Sequence, residues 1–95
     1  MTTDVVRATP LVDQLEVDDG AVVLVESRDG ARVLKVSAMA LTLLNLAQDG
    51  ATLKSIGLEL SAVYGPPDDR PIDDAVSALV EALARQRLVE VQGGG

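Results

Sequence analysis

The residues that could do chemistry in this chain are few, and most of them are carboxylates. Asp and Glu total 15 of the 95 residues, whereas His and Cys are absent. The chain therefore lacks the commonest general base and any thiol nucleophile or thiolate metal site. Lys54 and Ser55 are adjacent, but neighbouring residues in a helix point in different directions, so we expect a solvated helix surface there and not a catalytic Ser/Lys pair.

Three acidic pairs remain as candidates for acid–base chemistry or for binding a hard cation. They are Asp18-Asp19, Asp68-Asp69 and Asp73-Asp74. None follows the alternating oxygen-ligand pattern of a calcium loop. We expect a turn role for the first pair and loop or helix-cap roles for the other two. The sequence thus predicts a protein that is not an enzyme, with no catalytic residue, no metal site and no cofactor.

Composition limits the class of partner. Hydrophobic residues make up 47% of the chain, and the only aromatic residue is Tyr64, which predicts one small domain with an aliphatic core. The net charge of −7 disfavours binding to nucleic acid or to anionic lipid. No signal peptide and no apolar run approaching the ~20 residues of a membrane span is visible. We therefore expect a soluble, cytoplasmic protein.

Two Asp-Gly steps between apolar runs predict two tight hairpins. The runs on either side are β-branched and partly alternating, which predicts a three-stranded antiparallel meander. Residues 1–9 and 92–95 are expected to be flexible, leaving 10–91 as a single domain. The three predicted strands are Leu11–Val17, Ala21–Ser27 and Ala31–Val36.

Helical periodicity and capping residues follow the strands. Ser37 and Thr52 can cap the first two helices, and Gly50 and Gly65 can end them. A short extended piece is expected over Leu88–Val91. The predicted helices are Ala38–Gln48, Leu53–Tyr64 and Ile72–Gln86. Three strands followed by three helices predict an α+β, winged helix-turn-helix-like domain.

The third strand, Ala31–Val36, is expected to lie at the edge of the sheet, where unpaired backbone groups can accept another chain as an added strand. Period-two alternation places Arg32, Leu34 and Val36 on one face and Val33 and Lys35 on the other. Three of the chain's eight basic residues lie within eight positions here, namely Arg28, Arg32 and Lys35. These charges either deter unwanted strand pairing or form a positive rim that receives an acidic peptide.

Several segments together resemble the PqqD-like proteins, the peptide chaperones or recognition elements of ribosomally made and modified peptides. The segments are L34-K35-V36-S37-A38, D49-G50-A51-T52-L53-K54-S55-I56, L60-S61-A62-V63-Y64-G65 and D74-A75-V76-S77-A78-L79-V80-E81-A82-L83, followed by L88-V89. The resemblance covers roughly residues 10–91. The family often has Leu-Asn where this chain has Leu34-Lys35, a difference that would alter the junction between strand and helix.

The resemblance implies that the leader segment of a precursor peptide adds as a strand in the groove between the third strand and the third helix. The domain would then present the peptide to a modifying enzyme or a leader protease, as stand-alone members do in lasso peptide and related pathways. The implied peptide-binding residues are Arg32, Val33, Leu34, Lys35, Val36, Asp74, Ala75, Ala78, Leu79, Ala82 and Arg85.

Two other functions fit the same elements. One is a winged-helix DNA-binding or regulatory domain, although Asp73 and Asp74 at the start of its recognition helix would repel phosphates. The other is a structural module that dimerises through the same edge strand. The alanines of the third helix, Ala75, Ala78 and Ala82, also have two interpretations. They either form the wall of a peptide groove or serve ordinary close packing of helix on sheet.

Overall fold

The computed structural model describes residues 4–93 and shows an α+β fold with two antiparallel three-stranded sheets and three helices. The strands are β1 (Val5–Ala8), β2 (Leu11–Val17), β3 (Gly20–Ser27), β4 (Gly30–Val36), β5 (Ala51–Thr52) and β6 (Val89–Gln92). The helices are α1 (Ala38–Leu46), α2 (Leu53–Tyr64) and α3 (Ile72–Arg85).

The first sheet is the predicted meander, in the order β2-β3-β4. Its two connections each have two residues, so that Val17 pairs with Gly20 and Ser27 pairs with Gly30. The prediction of two short hairpins in series is therefore confirmed. A register shift between Leu11 and Asp13 adds an irregularity to β2, and such a bulge bends a strand and disrupts pairing there.

The second sheet was not predicted as a sheet, although the extended piece expected over Leu88–Val91 corresponds to β6. Its order is β5-β1-β6, with Val6 of β1 opposite Ala51 of β5 and Val91 of β6. Val5–Ala8, within the segment 1–9 that was expected to be flexible, form a strand, and Gln92, the first residue of the expected flexible tail, is the last residue of β6. Residues 1–3 and 94–95 of those two segments lie outside the described residues. The predicted order of three strands followed by three helices therefore lacks β1, which precedes the meander, and β5, which lies between α1 and α2.

The sequence carried a weak signal for β1. Val6 and Ala8 are buried while Arg7 between them is exposed, which is the period-two pattern of a strand with one buried face. The segment is only four residues long and is flanked by polar residues, so local pattern did not separate it from a loop. Its pairing depends on β6, more than 80 residues later in the chain.

Local capping agrees with the sequence in most places. The Ser37 hydroxyl accepts a hydrogen bond from the N–H of Ala40 at 3.0 Å, and the Thr52 hydroxyl accepts one from Ser55 at 3.1 Å. Gly65 caps α2 with φ of 80°. Helix α1 ends earlier than predicted, at Leu46 with Ala47 as its cap. Gly50 has a positive φ and donates its N–H to the carbonyl of Ala47 at 3.1 Å, immediately before β5.

One apolar core joins the sheets and the helices. Side chains of α1, α2 and α3 are packed with β1, β3 and β6, and no buried residue among the described ones is polar or charged. The largest fully buried side chains are Leu43, Leu44, Ile56, Leu60, Leu88, Val6, Val23 and Val25. The predicted aliphatic core is thereby confirmed, with β1 as an unforeseen contributor.

Candidate functional site

Strand β4 lies at an edge of its sheet, as the sequence predicted. It pairs with β3 on one side, and no strand within residues 4–93 pairs with it on the other. Bonded and non-bonded pairs alternate along an antiparallel ladder, and Ser27 with Gly30 closes the hairpin as a bonded pair. It follows that Ala31, Val33 and Lys35 direct their backbone N–H and C=O groups outward, toward the open edge.

Strand β2 forms the opposite edge of the same sheet, but it is poorly suited to pairing. The bulge between Leu11 and Asp13 interrupts it. By the same alternation, Gln14 and Glu16 direct their backbone outward, and the N–H of Gln14 already donates to the Asp13 carboxylate at 2.8 Å. Bulges and charged residues are the usual means of protecting an edge. The open edge suited to strand addition is therefore that of β4.

The two faces of β4 are as predicted. On the face toward the helices, Val36 is buried and Arg32 and Leu34 are partly buried. On the opposite face, Val33 is 69% exposed. The ammonium of Lys35, on that same outer face, lies 2.8 and 2.9 Å from the two carboxylate oxygens of Asp19. This ion pair is exposed, so it adds at most about 1 kcal/mol to stability.

Helix α3 divides the predicted site residues between two faces. Val76, Val80 and Leu83 are buried in the core. Helical spacing places Ala75, Leu79 and Ala82 together along one flank of this buried stripe, where Ala75 and Leu79 are partly buried. The remaining predicted residues, Asp74, Ala78 and Arg85, are exposed on the side away from the core.

A side chain of β4 joins this strand to the end of α3. Arg32 Nη2 donates a hydrogen bond of 2.8 Å to the backbone carbonyl of Gln86, the residue that caps α3. Gln86 follows Ala82 by four positions and so continues the flank formed by Ala75, Leu79 and Ala82. The structure therefore places the predicted strand beside the C-terminal end of the predicted helix.

One functional candidate, Arg87, was missed by sequence reasoning. Arg28, in the β3–β4 turn, and Arg87, just beyond α3, lie with Arg32 and Arg85 around one open cavity. The sequence predicts Arg28 as part of a positive rim beside β4 and gives no functional role to Arg87. Because the two are 59 positions apart in the sequence, nothing local indicated that they would converge.

A second cavity of about 530 Å³ lies on the opposite flank of α3, between α2 and α3. Its walls include Leu53, Gly57, Leu58, Ile72 and Val76. No residue of β4 contributes to it. This apolar groove is therefore separate from the open edge.

The candidates for catalysis lie in turns, in a loop and in the first turns of helices. Asp18-Asp19 forms the β2–β3 turn, Asp68-Asp69 lies in the α2–α3 loop, and Asp73-Asp74 lies in the first turn of α3. The Ser55 hydroxyl donates to the carbonyl of Thr52 at 3.0 Å. Within residues 4–93, no three His, Cys, Asp or Glu residues cluster in a way that could hold a metal ion.

Helices long and apolar enough to cross a bilayer do not occur in the described part of the chain. The chain matches no protein-family model, and no solved structure matches it. Over 85 residues, or 90% of the chain, it is 32% identical to the DNA mismatch repair protein MutS 1 of Halobacterium salinarum, in two strains. That match spans only 8% of the length of the MutS protein, so it assigns this chain to no family.

Proposed function

We propose that this chain is a PqqD-like, winged helix-turn-helix-like recognition domain that captures the leader segment of a ribosomally synthesised precursor peptide. The leader adds as a strand to the open edge of β4 and lies beside the C-terminal half of α3. The domain binds without catalysis or cofactor and presents the peptide, in the cytoplasm, to a modifying enzyme or a leader protease.

The observation that carries this proposal is the difference between the two edges of the β2-β3-β4 sheet. The edge of β2 is interrupted by a bulge and has one outward amide already bonded to Asp13. The edge of β4 has three successive outward-facing positions, at Ala31, Val33 and Lys35. Strand addition obtains its affinity from such main-chain groups and its specificity from pockets for alternate side chains.

The flank of α3 supplies the second wall. Ala75 and Ala82 are small, and Leu79 and Leu34 are both partly buried against the common core. Small side chains beside partly exposed leucines leave room for apolar side chains of an incoming strand. Arg32 fixes the position of β4 relative to α3 through its bond to Gln86.

A DNA-binding domain is the second candidate, and the name of the similar MutS protein is its main support. The first turn of α3 carries Asp73 and Asp74, and the chain has a net charge of −7. Both features oppose contact with phosphates, which dominate affinity for DNA. A dimerisation module is a third candidate, favoured by the exposed Leu15 and Val33 on the outer face of the sheet.

The proposal is tested by titrating ¹⁵N-labelled protein with synthetic leader peptides encoded by genes beside its own. Amide shifts concentrated in residues 30–36 and 75–86 are expected. Shifts confined to other regions would contradict the proposal. Titration with duplex DNA tests the DNA-binding candidate, and measurement of mass against protein concentration tests the dimerisation candidate. If no leader peptide causes shifts, DNA-dependent shifts in α3 would favour DNA binding, and a dimer that protects β4 would favour dimerisation.

A further inference from the structure

The cavity at the end of the β4–α3 groove is lined mainly by arginine side chains. It has a volume of about 550 Å³ and lies between the β3–β4 hairpin and the C-terminal end of α3. We call it the arginine cavity, after Arg28, Arg32, Arg85 and Arg87 in its walls. Half of the chain's eight basic residues thus gather at one place in a protein whose net charge is −7.

The positive charge of the arginine cavity is not neutralised by its own residues. Its walls contain four guanidinium groups and two carboxylates, those of Glu26 and Asp29. Arg85 pairs with Glu81 at 3.0 Å on the surface of α3. Arg28 and Arg87 form no ion pair with any of the described residues. The cavity therefore retains an excess of positive charge and at least two guanidinium groups that an anion can approach.

Arg32 adds donor capacity at the wall of the cavity. Its Nη2 is bonded to the Gln86 carbonyl, but its Nε is buried with no acceptor among residues 4–93. A buried donor without a partner is unfavourable, and more so when it is charged. The bond to Gln86 holds the Arg32 side chain in place, while its buried Nε–H stays without an acceptor among residues 4–93.

Arg87 occupies a position that ordinarily belongs to glycine. The N–H of Leu88 bonds to the carbonyl of Leu83 and the N–H of Arg87 bonds to that of Ala84, which is the Schellman arrangement at a helix end. Arg87 has φ of 60°, a conformation that is strained for an L-residue. The Thr9 hydroxyl holds it there by donating to the Arg87 carbonyl at 3.0 Å. Such strain is concentrated at functional sites.

We propose that the arginine cavity binds the carboxylate side chains of an acidic stretch in the peptide that β4 captures. This inference rests on the proposed function and names the chemistry of the ligand. A guanidinium group offers paired donors that match a carboxylate. Because the cavity adjoins the beginning of β4 and the end of α3, the acidic stretch lies next to the paired segment and fixes its register.

Charge also distinguishes this site from the rest of the surface. An acidic peptide is repelled by a protein of net charge −7 except where basic residues gather, so the arginine cavity selects the place of first contact. Attraction between exposed charges weakens with salt. Binding should therefore be weaker at high ionic strength even though the backbone pairing along β4 is unaffected.

The first arm of the test uses variants and a leader peptide that binds the unaltered protein. Arg28→Ala and Arg87→Gly, both at exposed positions, are each expected to weaken binding about tenfold, or ~1.4 kcal/mol. Arg70→Ala is the matched control, because it removes the same charge from the loop before α3 and should change affinity less than about twofold. Replacing the Asp and Glu residues of the peptide by Asn and Gln should abolish the difference between unaltered protein and variants. Equal losses in all three variants would overturn the proposal, as would unaltered protein that binds the amide peptide as tightly as the acidic peptide.

The second arm does not depend on β4. Hexaglutamate is titrated at low salt while the arginine Nε–Hε resonances are followed. Shifts are expected for Arg28, Arg32, Arg85 and Arg87 and not for Arg7 or Arg70. Uniform shifts, no shifts, or a response to a short DNA duplex that exceeds the response to hexaglutamate would each overturn the anion site. If hexaglutamate binds while no leader peptide perturbs β4, the proposed function fails and the anion site stands.

Discussion

Arg32 Nη2 lies 2.8 Å from the backbone carbonyl of Gln86, and this single hydrogen bond joins β4 to the end of α3 across 54 positions of the sequence. The side chain comes from the face of β4 that is turned toward the helices, next to the partly buried Leu34. The carbonyl lies on the continuation of the Ala75–Leu79–Ala82 flank. This bond brings the beginning of β4 next to the C-terminal end of that flank.

Substituting proline in β4 tests the role of its outward backbone groups. Val33 is exposed and its N–H faces the open edge, a position where strands tolerate proline. We expect Val33→Pro to fold but to bind leader peptide at least about tenfold more weakly, because one donor to the added strand is lost. Isothermal titration calorimetry measures the affinity, and circular dichroism confirms folding.

The control for this variant is Glu16→Pro, whose N–H faces the open edge of β2. Its affinity for the peptide should stay unchanged. A folded Val33→Pro protein with full affinity would contradict strand addition at β4. Val36→Pro is a poorer test, because Val36 is 7% exposed and forms a bonded pair with Ala21, so that proline there removes a hydrogen bond to β3.

A bulky residue on the flank of α3 tests the second wall of the groove. Ala82 lies on the flank that continues to Gln86, whereas Ala84 lies on the flank toward α2; both are exposed. We expect Ala82→Trp to weaken peptide binding about tenfold by filling the groove and Ala84→Trp to leave it unchanged. The chain has no other tryptophan, so the emission of each variant reports its surroundings directly. Equal affinities for the two variants would place the peptide elsewhere.

The conformation of Arg87 predicts an effect on stability. Arg87→Gly and Arg87→Ala both remove the guanidinium group, but only glycine adopts φ of 60° without a steric penalty. We expect the glycine variant to have a free energy of unfolding about 1 kcal/mol higher than the alanine variant. Urea unfolding followed by circular dichroism measures the difference. Equal midpoints would show that Arg87 is not held in this conformation in solution.

The burial of β1 in the core leads us to expect that a substitution in this strand lowers the free energy of unfolding. Val6 is fully buried between β5 and β6, whereas Arg7 beside it is exposed. We expect Val6→Ala to lower the free energy of unfolding by on the order of 2 kcal/mol and Arg7→Ala to change it by less than about 0.5 kcal/mol. If Val6→Ala had no effect on the urea midpoint, β1 would not be part of the folded core.

The sequence predicted those elements whose signals are local. Asp-Gly steps located the hairpins, Ser37 and Thr52 located two helix starts, and alternation assigned the faces of β4. Pairings between distant segments were not accessible in this way. The β1–β6 ladder joins the two ends of the chain, and local patterns contain no information about such a partner.

The candidate site shows the same division. Its edge strand could be predicted from two consecutive turns, and its helix from an apolar stripe. The convergence of Arg28 and Arg87 could not, because it depends on how the β3–β4 turn packs against the end of α3. The resemblance to PqqD-like proteins stays a prediction.

Amide hydrogen exchange of the protein saturated with leader peptide is the most direct test of strand addition. Strand addition at β4 predicts that Ala31, Val33 and Lys35, whose N–H groups face the open edge, exchange at least about tenfold more slowly when the peptide is bound. Glu16, which faces the other edge of the same sheet, should be unchanged. Unaltered exchange along β4 at saturation, or protection of Glu16 instead, would contradict the account.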